Sequence, residues 1–401
     1  MSQRNPPAAF ATAEENRVIW LVVAVQFIHM VDFVMVMPLG PDFARTINMD
    51  ASAIGMVGGV FTLAAAVAAL AVYRFLDRFN RKRALIVSVL ALAFTTALTG
   101  LAWDYYSLLV FRTLAGLAAG PVTALALATL TDGVAVERRG RAFGLVVAAF
   151  SASAVVGVPL GLELARVFSW PAAFLAVGVG ALLVAICIYR YMPDLGAGST
   201  RPALSLKQVA NSRRHQLGLG VMFVAVFSIF LLIPQLSGYW QFNRGFPREY
   251  LSLLYMAGGV TAFLMSSVAG KLVDSKGAMF PMVLFASGLI ALTFVSFTLA
   301  LAIPVVVIFV LYMGFAAARS VPSQMLSSMV PQPHQRAGYM ALQSATQSLG
   351  AGVGSVLSSM MVYELPDHSL VNVPFVSVLS ICCLFLLIWL CGRLQMELQR
   401  P

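Results

Sequence analysis

The chain has 401 residues, of which 60% are hydrophobic and only 10% are charged. Soluble domains carry about 25% charged residues, so this composition excludes a water-soluble enzyme, a nucleic-acid-binding module and a disordered chain. The formal net charge of +10 reads as membrane topology and not as nucleic-acid binding, because the cations are scattered over short inter-helix loops.

At the N-terminus Glu14 and Glu15 precede Arg17, and the apolar run that follows is too long for a signal-peptide core and lacks a small-residue cleavage site. It is therefore predicted to remain as the first helix. Apolar runs place helices near 18–40, 53–74, 84–103, 106–131, 142–166, 171–192, 217–241, 250–273, 280–301, 303–328, 337–362 and 372–392. A spanning helix takes about 20 mostly apolar residues, so twelve fit with short loops. The predicted fold class is all-α integral membrane, with twelve transmembrane helices in two pseudo-repeated six-helix bundles, 1–192 and 217–401, joined by a polar cytoplasmic linker, 193–216. The second part of the linker, LSLKQVANSRRH, suits a short interfacial helix. Cys187, Cys382, Cys383 and Cys391 lie inside apolar runs and read as small hydrophobes, so no metal site and no cofactor are expected.

With the N-terminus in the cytoplasm, the opposite side holds only Arg45, Arg166, Arg244 and Arg248, and Arg112 and Arg319 fall within helices; the other cations face the cytoplasm. The positive-inside rule then places both termini in the cytoplasm of a bacterial inner membrane. The halves repeat at an offset of 197 residues, which lays Asp77 on Asp274, Arg139 on Arg336 and Gly157 on Gly354. A 6+6 chain with repeating halves is the architecture of a transporter that rocks two bundles around a site near the midplane.

These residues also carry a family resemblance, because the sequence resembles the major facilitator superfamily along essentially its whole length. The loop after the second helix is similar to that family's Gly-x-Leu-x-Asp-Arg-x-Gly-Arg-Lys signature, with Asp77, Arg78, Arg81 and Lys82 in register, and Tyr73 and Asn80 where the family usually has glycine. A second copy keeps Gly270, Leu272, Asp274 and Gly277, which implies close helix packing there. Arg112 with Gly116 and Gly120 resembles the Arg-x-x-x-Gly-x-x-x-Gly signature, and Gly157-Val158-Pro159-Leu160-Gly161 resembles the antiporter signature of the sugar-efflux and arabinose-efflux-permease-like members of the drug/proton antiporter branch. The first helix, HMVDFVMVMPLGPDF, is similar to exporters of that branch.

A carboxylate in hydrocarbon is costly unless paired or hydrated, which makes Asp32 the first candidate for a proton or substrate site. Arg112 lies at a similar depth, so the pair is either a protonation-linked switch or a static brace; the resemblance implies that the two pair. His29, one turn earlier on the same face, is either a proton relay or hydrogen-bonded packing. Arg319 has small neighbours and no acidic residue in the membrane portion of its half, which points to an anionic or acceptor-rich substrate or to backbone carbonyls. Gln235 and Tyr239, and Gln343 and Gln347, recur at four-residue spacing; with Trp240 and Phe33 they are cavity-lining candidates, or else helix glue and interfacial aromatics.

Asp77 and Asp274, each near the start of a facing helix, read as cytoplasmic gate residues, with Arg81 and Arg139 holding Asp77. Gly157, Pro159 and Gly161 read as a close-approach and kink site. Gly270-Lys271 lacks the flanking residues of a phosphate loop, and neither His-Glu-x-x-His nor Gly-x-Ser-x-Gly occurs, so no enzyme is expected. The expected function is proton-coupled export of small amphipathic molecules by a monomer whose partners are a small-molecule substrate, protons and the lipid bilayer. A uniporter or importer of an organic anion bound by Arg112 and Arg319, and a non-transporting sensor or lipid-handling protein, are the alternatives.

Overall fold

The computed structural model describes residues 12–73, 80–194, 212–299, 301, 303–332 and 335–399. Among these residues twelve long helices follow one another: α1 (Ala13–Ile47), α2 (Ala51–Val72), α3 (Arg81–Thr99), α4 (Tyr105–Gly133), α5 (Arg138–Val167), α6 (Trp170–Tyr191), α7 (Arg213–Asn243), α8 (Arg248–Lys276), α9 (Met279–Thr298), α10 (Val305–Ser328), α11 (Arg336–Met361) and α12 (Val373–Gln399). Among the described residues, 11 helices are long and apolar enough to cross a bilayer. α11 is the exception to the expected twelve, and its chemistry explains why. Its Gln343 meets Ser327 of α10, its Ser359 meets Ser52 at the start of α2, and Gly350 presses on the Phe223 carbonyl of α7, so much of its polar surface faces protein and not lipid.

The ends of the helices are set locally. Asp104 accepts from the Ser107 N–H at 2.8 Å while the Ser107 hydroxyl accepts from Asp104 N–H, a capping box that starts α4. Asn80 caps α3 by accepting from Arg83 N–H. A 3-10 turn at Met37–Leu39 breaks α1 beside Pro38, and π turns interrupt α5 at Ser153–Gly157, α7 at Tyr239–Asn243 and α9 at Phe294–Thr298. Between α11 and α12 a two-residue hairpin pairs Tyr363 with Val371 and Glu364 with Leu370, an element absent from the sequence reading. The polarity is inside-out for a bilayer: Val87, Phe94, Leu183, Phe263 and Phe385 are exposed while Ser228, Ser323, Ser355 and Ser377 are buried.

Packing repeats with a shift of six helices. In the first half α1 packs on α5 and α6, α2 on α4, and α3 on α4 and α6; in the second α7 packs on α11 and α12, α8 on α10, and α9 on α10 and α12. The repeat-related glycines do the same work. A Cβ on Gly157 would stand 2.2 Å from Val31 of α1, and one on Gly354 would stand 2.9 Å from the Phe227 carbonyl of α7. Gly270 breaks the expectation of close packing, because a Cβ there meets nothing within 4 Å.

The halves meet along two seams, α2 against α11 and α5 against α8. A Cβ on Gly55 would lie 2.3 Å from the Ser355 carbonyl, so glycine is what lets α2 touch α11. The hydrogen bonds that cross between halves gather at the end opposite both termini. Arg248 grips both oxygens of Asp42 at 2.9–3.2 Å. Gln235 and Ser359 donate to the Ser52 carbonyl at 3.0 and 2.7 Å, and Ser237 donates to the Pro38 carbonyl at 2.7 Å. Glu364 of the hairpin accepts from Ala51 N–H at the start of α2 and also contacts His368. The molecule is thus sealed at the far end.

Candidate functional site

Asp32 of α1 and Arg112 of α4 meet inside the first half, both with fully buried side chains. Arg112 Nη1 donates to Asp32 Oδ1 at 2.9 Å and Nη2 reaches the Asp32 carbonyl at 3.4 Å. Small residues make room: Gly116, one turn along α4, would place a Cβ 2.2 Å from the Phe61 carbonyl. That approach brings α2 so close that the Arg112 guanidinium lies 4.1 Å from the centroid of Phe61. Asp32 Oδ2 and Arg112 Nε are buried without a hydrogen-bond partner.

His29, one turn before Asp32, stacks on Phe61 at 6.4 Å and its buried Nδ1 also has no partner. Phe33 stands between Phe61 and Phe230, at 5.9 and 5.7 Å with the rings nearly parallel, and so joins α1 and α2 to α7 of the other half. One carboxylate oxygen is spent on the arginine, the other is unspent, and an imidazole nitrogen stands one helical turn away. Protonating Asp32 weakens its hold on Arg112, and an unpaired buried charge costs about 3–5 kcal/mol, so the guanidinium must then find another partner or move.

Several expected site residues lie elsewhere. Arg319 is fully buried, donates from Nη2 to the Ala225 carbonyl of α7 at 2.6 Å, and has Nε and Nη1 without partners. The contact it makes is to a backbone carbonyl, because α10 turns this residue toward α7. Gln235, Tyr239 and Trp240 do not line an open cavity. Gln235 is tied to Ser52 in the far-end seal, and Tyr239 and Trp240 pack against Phe297 of α9 at 5.3 and 5.2 Å. α7 is broken at Leu231–Leu232, ahead of Pro234, just before these residues. Gln343 accepts from Ser327 at 2.9 Å, and Gln347, one turn further, is half-buried.

Asp77 and Arg78 lie outside the described residues, as does most of the linker with its proposed interfacial helix. Around them, Arg81 bonds Asp132 of α4 at 2.9 Å, Lys82 donates to the Met192 carbonyl at 2.6 Å, and Arg139 donates to the Val134 carbonyl at 3.0 Å. Asp274 is exposed. Gly157 closes the π turn of α5 just ahead of Pro159, and a Cβ on Gly161 would meet Met35 at 2.3 Å, so this stretch is both bent and pressed onto α1. Sequence reasoning missed Phe61, one of 27 phenylalanines with nothing to single it out. It also missed the Glu15–Arg138 pair at 2.6 Å and the Asp42–Arg248 pair. The second had a legible signal, since cations on the far side are few.

Comparison with known proteins follows the same lines. An uncharacterized MFS-type transporter, YbcL of Bacillus subtilis, is 23% identical over 368 residues, spanning 90% of this chain and 92% of its own length. A bacterial homologue of the human lysosomal transporter Spinster, solved inward-facing and unoccupied, superposes with a TM-score of 0.74 at 16% identity, covering 98% of this chain and 100% of that one. The human organic anion transporter MFSD10 (TETRAN) superposes with a TM-score of 0.68 at 17% identity, covering 96% and 100%. With the Major Facilitator Superfamily profile matching residues 22–331, and the six-helix packing repeat on which that family is built, the chain belongs to the Major Facilitator Superfamily.

Proposed function

We propose that this transporter is a proton-coupled exporter of small amphipathic molecules (drugs, toxic metabolites, or sugar-like or siderophore-like compounds) working by alternating access in a bacterial cytoplasmic membrane, both termini inside. The observation that carries this reading is the buried Asp32–Arg112 pair with its unspent Oδ2 and the partnerless His29 Nδ1 beside it. The bundles 1–192 and 217–401 rock about the two seams, and the far-end seal is the outside-closed state. Arg112 lies against Phe61 on α2, the helix that forms a seam with α11. A proton on Asp32 therefore reaches the seam through one side chain: it frees Arg112, and Arg112 bears on α2. Each proton crossing about 100 mV supplies about 2.3 kcal/mol, enough for a solute gradient of roughly fiftyfold at one-to-one electrogenic coupling.

The organic-anion reading has less support, even with an organic anion transporter among the structural relatives. Arg112 is occupied by Asp32, and Arg319 is enclosed. The test uses detergent-solubilised protein at low buffering with a ligand found by thermal-shift screening. Ligand addition should release protons from the wild type and not from Asp32→Asn, and Asp32→Asn in proteoliposomes should keep downhill movement while losing concentrative transport. Equal proton release by both proteins removes Asp32 as the coupling site, and transport indifferent to a pH gradient removes the coupling.

A further inference from the structure

We propose that the groove between α1, α5 and α6 is a binding site for one anionic phospholipid, its phosphate at Arg17 and one acyl chain laid along α1; the leaflet, though not the site, rests on the sidedness proposed above. The groove has a volume of about 420 Å³ and a wholly apolar wall that includes Ala24 and Phe27 of α1, Ala148, Ala149 and Ala152 of α5, and Val184 of α6. A second hollow of about 290 Å³, lined by Asn16, Arg17 and Tyr191, adjoins it, and Trp20 lines both.

The gap follows from how α1 and α5 are held. Near the termini Glu15 binds Arg138 at 2.6 Å and accepts from Ala135 N–H at 3.3 Å. Further along, Gly157 and Gly161 press onto Val31 and Met35. Between these two pins α5 presents alanines, too short to fill the space the pins leave, and the π turn at Ser153–Gly157 follows directly after them. Trp20 and Ala148 are exposed, so the groove opens sideways to hydrocarbon, where neither water nor a void is favoured.

Its dimensions and its mouth select the occupant. From Arg17 to Ile28 α1 rises about 16 Å at about 1.5 Å per residue, against about 15 Å for the hydrocarbon of one leaflet. The mouth has the chemistry of a headgroup level: the indole of Trp20, the phenol of Tyr191, and the exposed cations Arg17 and Arg190, the latter 5.9 Å from the centroid of Tyr191. Arg17 has no ion-pair partner among the described residues, and Glu15, the carboxylate two residues before it, is already held by Arg138. A phosphate with no compensating cation of its own fits this mouth better than a zwitterion does.

The experiment is native mass spectrometry of the full chain, purified in detergent and offered equal amounts of phosphatidylglycerol and phosphatidylethanolamine. The wild type should retain phosphatidylglycerol preferentially. Arg17→Gln, an exposed change that disturbs no packing, should weaken that retention about fivefold, the value of one cation near an anionic lipid, and leave phosphatidylethanolamine unaffected. Ala148→Trp should plug the groove and abolish the preference. Should that variant not fold, quenching by phosphatidylglycerol with brominated chains decides instead: the quenched tryptophan signal must fall in Trp20→Phe. Equal retention of the two lipids by the wild type, unchanged preference in Arg17→Gln, or quenching indifferent to Trp20→Phe overturns the proposal.

Discussion

Replacing Arg248 with glutamine tests whether the far-end seal is one side of a two-state equilibrium. Arg248 makes three contacts of 2.9–3.2 Å with the Asp42 carboxylate and one of 3.2 Å with the Leu162 carbonyl, and its side chain is only 11% exposed. A hydrogen bond to a charged group contributes about 1.5–3 kcal/mol net, and losing about 2 kcal/mol from one state alone shifts a two-state population about thirtyfold. Ser355→Cys is the reporter, because Ser355 is fully buried in the α2–α11 seam and sulfur replaces oxygen with little change in shape. With the four native cysteines replaced, labelling from outside by a membrane-impermeant thiol reagent should accelerate about thirtyfold in Arg248→Gln. Asp42→Asn should accelerate it similarly, and the double variant should add little, since the two side chains act as one pair. An unchanged rate in Arg248→Gln, or full additivity in the double variant, refutes the reasoning.

Gly116→Ala drives a Cβ to 2.2 Å from the Phe61 carbonyl and should lower stability by about 1–3 kcal/mol, whereas Gly144→Ala, which meets nothing within 4 Å, should be neutral or stabilise by about 0.4–1 kcal/mol; thermal melts compare them. Arg319→Met replaces an enclosed cation by an apolar chain of similar length and should be neutral to about 2 kcal/mol stabilising with transport retained, and loss of transport in a well-folded protein would return Arg319 to the substrate site. Hydrogen bonds from Ser107 hold the Asp104 carboxyl below the usual carboxylate range. Its capping contribution is therefore complete above about pH 4, the unfolded value, and is lost as pH falls through the lower folded one; Asp104→Ala should remove that part of the acid dependence of the melting temperature.

What was legible in the sequence was whatever the bilayer itself dictates. Long apolar runs must be helices because hydrocarbon offers the backbone no other partner, and a buried carboxylate must find a cation, so Asp32 and Arg112 could be matched by depth before any contact was seen. The repeat was legible because Gly157 and Gly354 serve the same close approach. What stayed hidden depended on direction and not on depth. Arg319 lies well inside α10, as its position implies, but nothing in FAAARSVPSQ says that its side chain points to α7. Gln235 and Tyr239 do share a helix, yet the break at Leu231–Leu232 that re-aims them has no glycine and only Pro234 to announce it. The hairpin at Tyr363–Val371 was illegible because two-residue strands carry no periodicity.

Among the described residues the far-end seal joins the halves with one ion pair, Asp42–Arg248, with the Glu364 and Glu163 carboxylates accepting from the Ala51 N–H and the Ser252 hydroxyl, and otherwise with neutral groups, mostly hydroxyls and an amide meeting main-chain carbonyls. Bonds of this kind are exchanged for water at little net cost when a surface parts, and their strength does not depend on the ions around them. Dissolved salt has a handle only on the few contacts that carry a charge, and a weak one on the Asp42–Arg248 pair, because both partners are mostly shielded from solvent. Parting of this seal should therefore respond only weakly to ionic strength at that face of the molecule.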